Sequence, residues 1–385
     1  MSRGLHEQFD GYRAIVDAIE VSRRHGVDYT AEKDAADPYI RRLHPRSLSL
    51  VVAAVRRETP SAATLRLVSP DGPLPPFQAG QYLAVTVDVD GVRTSRPYSI
   101  SSPPNQTGYY EITVQRMENG LVSSFLLDRV HRGDRLTCSG PAGEFVYNPL
   151  FHARHMVMVA GGCGVTPFMS MVREILDCGL DRQVHLFFGN RDLAGAIAHE
   201  EFSELDARFD SFHYIPVIEN PPAGYDGRSG LITGELIRRT LGNLEEKTFY
   251  VCGPRAMYDF CLPELERLGI PRRRLRREMY GLPARVEADP AWPQDVQLTD
   301  RFTVHLQEGF VLEAVAGEPL LTALERNGVR VPSLCRCGAC SECRVRILSG
   351  RVFEPQGVHV RRSDRQFGYV HACAVYPLSD LEVTV

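Results

Sequence analysis

The chain has 385 residues, enough for two or three domains with buried cores. Its 43% hydrophobic and 24% charged content is that of a globular protein, and a formal net charge of −4 argues against a nucleic-acid binder. No run approaches the ~20 apolar residues of a membrane span, and the opening MSRGLHEQFDGYRAIVDAIE lacks the apolar centre of a secretory signal, which predicts a cytoplasmic protein.

Residues 1–44 read as a polar extension. Phe9, Tyr12, Ile15, Val16 and Ile19 recur at helical spacing and predict a short amphipathic helix. Asp37-Pro38 is expected to end any helix there. Residues 45–150 read as an antiparallel β-barrel. SLSLVVAAV, ATLRLVS, YLAVTVDVD and YYEITVQR are β-rich runs between Gly, Pro and Asp turns. One helix, near 121–129, interrupts them. Within this region Arg96-Pro97-Tyr98-Ser99 ends a strand. Gly120, Val122, Ser123 and Ser124 open the helix, where free N–H groups suit a phosphate or where a serine simply caps.

Residues 151–281 change character. HMVMVAGG is a buried strand running into a glycine turn, and FMSMVREIL is a helix. VHLFFG, FHYIPVI and TFYVC are further strands with helices between, which predicts a doubly wound α/β domain. The first turn carries Gly161, Gly162, Gly164, Thr166 and Pro167. Its glycines let a pyrophosphate approach the backbone at a helix start, and Pro suits the first helical turn. Near residue 250 the chain reads Cys252-Gly253-Pro254-Arg255-Ala256-Met257. The run Arg272–Arg277 reads as a solvated basic face able to dock an acidic partner.

Residues 282–296, rich in Pro and charge, read as a linker. Residues 297–385 read as a small α+β domain. It holds Cys335, Cys337, Cys340 and Cys343 in one loop and Cys373 after 29 further residues. Cys335, Cys340, Cys343 and Cys373 fit the plant-type 2Fe–2S spacing C-x4-C-x2-C…C. Gly338, Ala339 and Ser341 allow the loop to curl round sulfides. Cys337, Cys340 and Cys343 also begin a 4Fe–4S run, but the nearby fourth Cys-Pro is missing. Zinc would call for two paired C-x2-C knuckles. Cys138, Cys178 and Cys261 read as buried core thiols.

Arg-Pro-Tyr-Ser followed by the serine-bearing helix start, GGCGVTP and CGPRAM together resemble the ferredoxin–NADP reductase superfamily. Residues 297–385 resemble plant-type ferredoxins along their length, VPSLC and HACAVYPLSDLEV included. The resemblance implies a flavin-binding barrel, a nicotinamide-dinucleotide domain and a β-grasp ferredoxin domain. It places Arg96 on the flavin phosphates, Tyr98 against the isoalloxazine, Ser99 near its N5, and Ser123 and Ser124 on a pyrophosphate. That last pair favours FAD, with FMN as the alternative. Cys252 is implied beside the nicotinamide and flavin, with Glu278 and Tyr280 near the flavin. Arg191 after VHLFFG could meet a 2′-phosphate, but no dense basic pocket is present, so NADH is favoured over NADPH.

The domain order resembles reductase components of oxygenase systems. The implied activity is transfer of hydride from NAD(P)H to FAD and of single electrons through a 2Fe–2S cluster to a partner protein. The partner would be an oxygenase, a corrinoid-dependent enzyme or another reductase component. The alternatives are a non-catalytic or complex-bound redox subunit, and a flavoreductase acting directly on a small oxidant.

Overall fold

A computed structural model describes residues 10–26, 36–281, 285–307, 309–355, 358 and 360–385. Met1–Arg46 and Ser47–Val385 are two separate compact units.

The first unit holds α1 (Tyr12–Arg24) and α2 (Asp37–Leu43), neither with a buried residue. The predicted amphipathic helix is α1; Phe9, counted in its apolar stripe, lies outside the described residues. Asp37-Pro38 does not end a helix but starts one. Pro38 sits in the first turn of α2, where no N–H is required and the fixed φ suits the helix.

In the second unit, six antiparallel strands form the first sheet: β1 (Leu48–Thr59), β2 (Ala62–Val68), β3 (Tyr82–Val89), β4 (Val92–Ser99), β5 (Tyr110–Gln115) and β6 (Arg135–Cys138). Their spatial order is β4-β3-β6-β1-β2-β5. An Ile100–Ile112 bridge joins the two ends and closes the barrel. Leu50, Leu65, Leu83, Val85, Ile112 and Leu136 are among the side chains that fill it. The helix α3 (Leu121–Asp128) buries Val122 and Leu126 in the same core.

The second sheet is parallel. It comprises β7 (His155–Gly161), β8 (Gln183–Asn190), β9 (Phe212–Ile218), β10 (Arg228–Ser229), β11 (Lys247–Gly253) and β12 (Leu275–Met279). Helices α4 (Thr166–Asp177), α5 (His199–Arg208), α6 (Gly234–Leu241) and α7 (Arg255–Arg267) connect or follow the strands. Strand alternation on β7 explains the two layers. Met156, Met158 and Ala160 join Phe168 of α4 and Phe202 of α5, while Val157 and Val159 join Ile237 of α6 and Tyr258 of α7. The order β10-β9-β8-β7-β11-β12 reverses between β7 and β11. In such sheets ligands bind at that switch point, outside the carboxyl ends of the strands. Barrel residues Ala62, Ala79 and Phe145 share a core with this sheet, so the two layers are packed as one body.

The third sheet is β14-β13-β19-β15-β17, from β13 (Arg301–Leu306), β14 (Val311–Val315), β15 (Arg344–Ser349), β17 (Tyr369–His371) and β19 (Leu381–Thr384). A two-stranded ribbon pairs β16 (Val352–Phe353) with β18 (Tyr376–Pro377). The helix α8 (Leu320–Arg326) buries Leu320, Leu321 and Leu324 beneath this sheet, and the short helix α9 (Arg362–Gln366) buries only Asp364. Residues read as linker pack here: Val286, Trp292 and Val296 are buried with Phe353, Tyr376 and Leu378. The first three linker residues, 282–284, lie outside the described residues. Cys138 and Cys261 are core thiols as expected. Cys178 is not: it follows the last residue of α4 and is exposed. No described helix is long and apolar enough to cross a membrane.

Candidate site where three segments meet

Three stretches far apart in sequence converge. Ser99 ends β4 and pairs in register with Tyr82 at the start of β3. Cys252 near the end of β11 pairs with Glu278 of β12, and Tyr280 follows. The Ser99 and Tyr280 hydroxyls lie 2.7 Å apart, and the Tyr280 hydroxyl also hydrogen-bonds the Cys252 thiol. Burial holds both Tyr280 and Cys252 well above their ordinary pKa values. Glu278 is pushed up to about 8 by burial and then by the nearby charge of Cys335. Its Oε2 is buried and has no hydrogen-bond partner among the described residues, so the protonated form suits this place. Tyr82 is raised by burial and then by Cys335, Cys340 and Glu278, which puts the cysteine loop beside β3.

Tyr258 of α7 holds the two strand ends in place. Its hydroxyl lies 2.8 Å from the Val251 carbonyl and also reaches the carbonyl of Glu278. Sequence reading missed this residue; it follows Met257 in the CGPRAM run and carries no motif of its own.

The glycine turn sits at the switch point. A Cβ on Gly164 would overlap the Cys252 carbonyl and stand 2.5 Å from the Gly253 Cα. Gly161 and Gly253 both lie against the Met257 side chain. Thr166 Oγ1 donates to the Cys163 carbonyl at 2.9 Å, and Pro167 lies in the first turn of α4. Gln115 of β5 accepts from the Cys163 N–H at 3.0 Å, so the turn is docked on the barrel. Pro254 is the N-cap of α7. At the carboxyl edge of β8, Asn190 Nδ2 is buried and has no hydrogen-bond partner among the described residues. Arg191 beside it is exposed, and Asp192 uses its carboxylate to cap a short turn, accepting from Gly195 N at 2.8 Å. Arg272, Arg273, Arg276 and Arg277 are exposed, as expected of a solvated basic face.

On the barrel, β4 is an end strand in the spatial order, where Pro97 is tolerated without an N–H. Burial pushes Tyr98 above its ordinary range, with smaller effects of Arg96 and Cys163; the latter sets Tyr98 against the glycine turn. Arg96 Nη1 donates to Thr94 Oγ1 at 2.9 Å and to the Ser95 carbonyl at 2.7 Å. Burial lowers the Arg96 pKa to about 10, helped by Arg336. Neither serine caps α3. Gly120 is the N-cap and has no side-chain bond, while Ser123 Oγ accepts from Met117 N at 3.1 Å. The Val122 side chain lies in the barrel core and cannot face a ligand; only its backbone is at the helix start. Ser124 accepts weakly from Arg116 Nη1 at 3.4 Å. Arg116 was missed in the sequence. Its guanidinium is paired with Asp128 of α3, Nη1 donating at 2.9 Å, and it stands beside an uncapped helix start whose free N–H groups suit a pyrophosphate.

The cysteine loop fits a binuclear cluster. The thiols lie in two touching groups, Cys335 with Cys340 and Cys337, and Cys343 with Cys373. Hydrogen bonds from Cys337 and then Cys340 hold the Cys335 thiol far below its ordinary pKa. Ala339 N and Cys340 N donate to Cys335 Sγ at 3.4 and 3.3 Å, the backbone cradle that a thiolate ligand requires. Gly338 has φ +79, and a Cβ there would meet Val358 at 2.9 Å and Ala374 at 3.1 Å. A group of three thiols and a group of two supply the four thiolates that two bridged irons need, with one thiol over. Cys337 touches Cys335 as Cys340 does, so the fifth thiol lies at the same site.

A flavin barrel, a nucleotide sheet with its switch point and a cysteine cradle thus define a flavin and iron–sulfur oxidoreductase. Three family models match the chain in that order. They are the oxidoreductase FAD-binding domain at residues 55–147, the oxidoreductase NAD-binding domain at 158–262 and the 2Fe-2S iron-sulfur cluster binding domain at 304–378. NADH oxidoreductase HCR of Escherichia coli is 31% identical over 330 residues, spanning 85% of this chain and 94% of that protein. The glycine betaine monooxygenase reductase subunit of Pseudomonas aeruginosa is 27% identical, spanning 80% of this chain and 87% of its own length. The structure of phthalate dioxygenase reductase superposes with a TM-score of 0.67 at 26% identity, covering 88% of this chain and 98% of that one. The chain belongs to the ferredoxin reductase-like oxidoreductases that carry a C-terminal 2Fe–2S domain. It is an NAD(P)H-dependent flavin and iron–sulfur oxidoreductase.

Proposed function

We propose that the chain serves an oxygenase, drawing hydride from NADH and delivering electrons singly to the terminal component. Bound FAD would supply an acceptor for the two-electron parcel, and a 2Fe–2S cluster held by the cysteine loop would supply a one-electron outlet. The observation that carries this reading is the convergence of Ser99, Cys252, Glu278, Tyr280 and the Cys335 loop in one place. Relatives named as monooxygenase and dioxygenase reductases support an oxygenase as the acceptor.

The roles proposed are these. Arg96, Arg116, Ser123, Ser124 and the backbone at Gly120 and Val122 hold the FAD phosphates. Pro97, Tyr98 and Ser99 line the isoalloxazine. Gly161, Gly162, Gly164, Thr166 and Pro167 receive the dinucleotide pyrophosphate, with Arg191 at its outer end. Cys252, Gly253, Pro254 and Met257 shape the nicotinamide pocket. Ser99, Cys252, Glu278 and Tyr280 orient the hydride donor and exclude water. Cys335, Cys340, Cys343 and Cys373 ligate the irons. The segments at 45–150, 151–281 and 297–385 are the three working domains.

The test is Cys340→Ser. Reduction of one-electron protein acceptors should be abolished while NADH–ferricyanide turnover through the flavin persists. Survival of both activities would refute the route.

A further inference from the structure

The cysteine loop is tied to the flavin strand by a buried polar network. Arg336 follows Cys335 within the loop, at φ 53, and forms an ion pair with Glu325 of α8. Both side chains are only 9% exposed. The other carboxylate oxygen of Glu325 accepts from Thr94 Oγ1 of β4 at 2.9 Å. Arg336 also donates to Ser333 Oγ at 3.3 Å and to Ser95 Oγ at 3.4 Å. Those two hydroxyls lie 3.2 Å from each other. Thr94 and Ser95 are the residues on which Arg96 rests its guanidinium. A continuous polar path therefore joins the arginine beside the first cluster cysteine to the arginine of the flavin strand.

Chemistry makes this arrangement informative. Exposed ion pairs contribute little and hold no fixed geometry. A buried pair is costly to desolvate, and apolar residues would seal the same seam more cheaply. What a fully satisfied buried pair supplies is registry, because any slip strands a charge. The guanidinium fork fixes that registry through several donors at set angles. The elements so joined are β4 and the loop bearing Cys335.

We propose that Arg336 and Glu325 are positioning residues that latch the cysteine loop onto β4 and so set the rate of electron passage from flavin to cluster. The proposal rests on the reading of β4 as the flavin strand and of Cys335 as a cluster ligand. In the step concerned, NADH has already delivered two electrons and a proton to the flavin. One electron then moves to the oxidised cluster, taking one iron from ferric to ferrous. The second follows after the cluster has discharged to its acceptor.

The experiment is anaerobic rapid mixing of the holoprotein with NADH, following flavin bleaching and cluster reduction separately. In Arg336→Ala and Glu325→Gln, flavin bleaching should proceed at the parental rate. Cluster reduction should slow several-fold, because electron transfer weakens steeply as the loop bearing Cys335 moves away from β4. Arg336→Lys, which keeps charge but loses the fork, should recover part of the rate. Amide exchange in residues 92–96 and 333–337 should accelerate in the same order of severity. If Arg336→Ala loses a cofactor, Glu325→Gln and Arg336→Lys carry the same comparison. Parental cluster reduction in these variants, or equal slowing of both steps, would overturn the latch. Failure of the parent protein itself to pass electrons from NADH to the cluster would overturn the underlying functional reading instead.

Discussion

At the residue scale, Gly164 shows how closely the nucleotide turn is built onto its neighbour. The backbone of Cys252 and Gly253 occupies the place where a side chain would start. Backbone cannot swing aside as a flexible side chain can. Gly164→Ala should therefore cost about 1–3 kcal/mol of stability, the usual penalty for overpacking. It should also slow flavin reduction by NADH more than turnover of prereduced protein, because the carbonyl it displaces belongs to Cys252. Denaturant titration and rapid-mixing kinetics would check the two effects. Much of this site was legible in the sequence for the same reason. Glycines at fixed offsets, a prolyl helix start and clustered cysteines are local backbone requirements that a sequence states directly. Arg116 and Tyr258 were not legible. Their surroundings are set by groups met across the fold, Asp128 and Ser124 on α3 for one and the carbonyls of two strands for the other.

At the scale of elements, the parallel sheet crowds basic groups at its amino-terminal side. His185 on β8 stacks against His213 on β9 with ring centroids 4.5 Å apart. Lys247 of β11 lies 3.3 Å from His155 of β7. Burial, then the charges of His213, Lys247 and His155, lower the His185 pKa to about 4. Between pH 6.5 and 4 the unfolded chain binds a proton there that the folded chain does not. Folding stability should thus be complete above about pH 6.5 and fall as the pH drops through 4. After discounting for partial solvent screening the loss is on the order of 2 kcal/mol. His185→Gln should flatten that part of the urea-unfolding profile; an unchanged acid limb would show that another group is responsible. Strand periodicity made this sheet readable, since a continuous apolar run bounded by glycine is a strong local signal. The helix at Asp37 was misread because proline blocks a helix that reaches it from behind yet favours one that begins with it.

At the scale of the whole molecule, the question is how three sheets become one electron path. Composition alone made residues 282–296 read as a spacer, since Pro and charge are frequent there. The fold gives the described part of that segment a second property. The Trp292 ring stands 5.0 Å from Phe353 and 6.2 Å from Tyr376, edge-on to both, and its Nε1 donates to the Val296 carbonyl at 3.2 Å. Apolar residues scattered among prolines follow no helical or strand period, so nothing local announces that they are buried. Their aromatic partners Phe353 and Tyr376 lie 50 or more positions onward, in the ribbon of β16 and β18. The connection is thereby anchored at the ferredoxin end and cannot act as a loose tether along its full length. Trp292→Ala should cost about 3–5 kcal/mol, the range for removing a large buried aromatic. The loss should be local: cluster absorbance should disappear at a lower temperature while flavin release keeps its parental midpoint. A variant that melts in parallel at both chromophores would mean that this small core supports the barrel and the nucleotide sheet as well. A variant that melts like the parent at both would mean that the segment is the passive spacer its composition suggests.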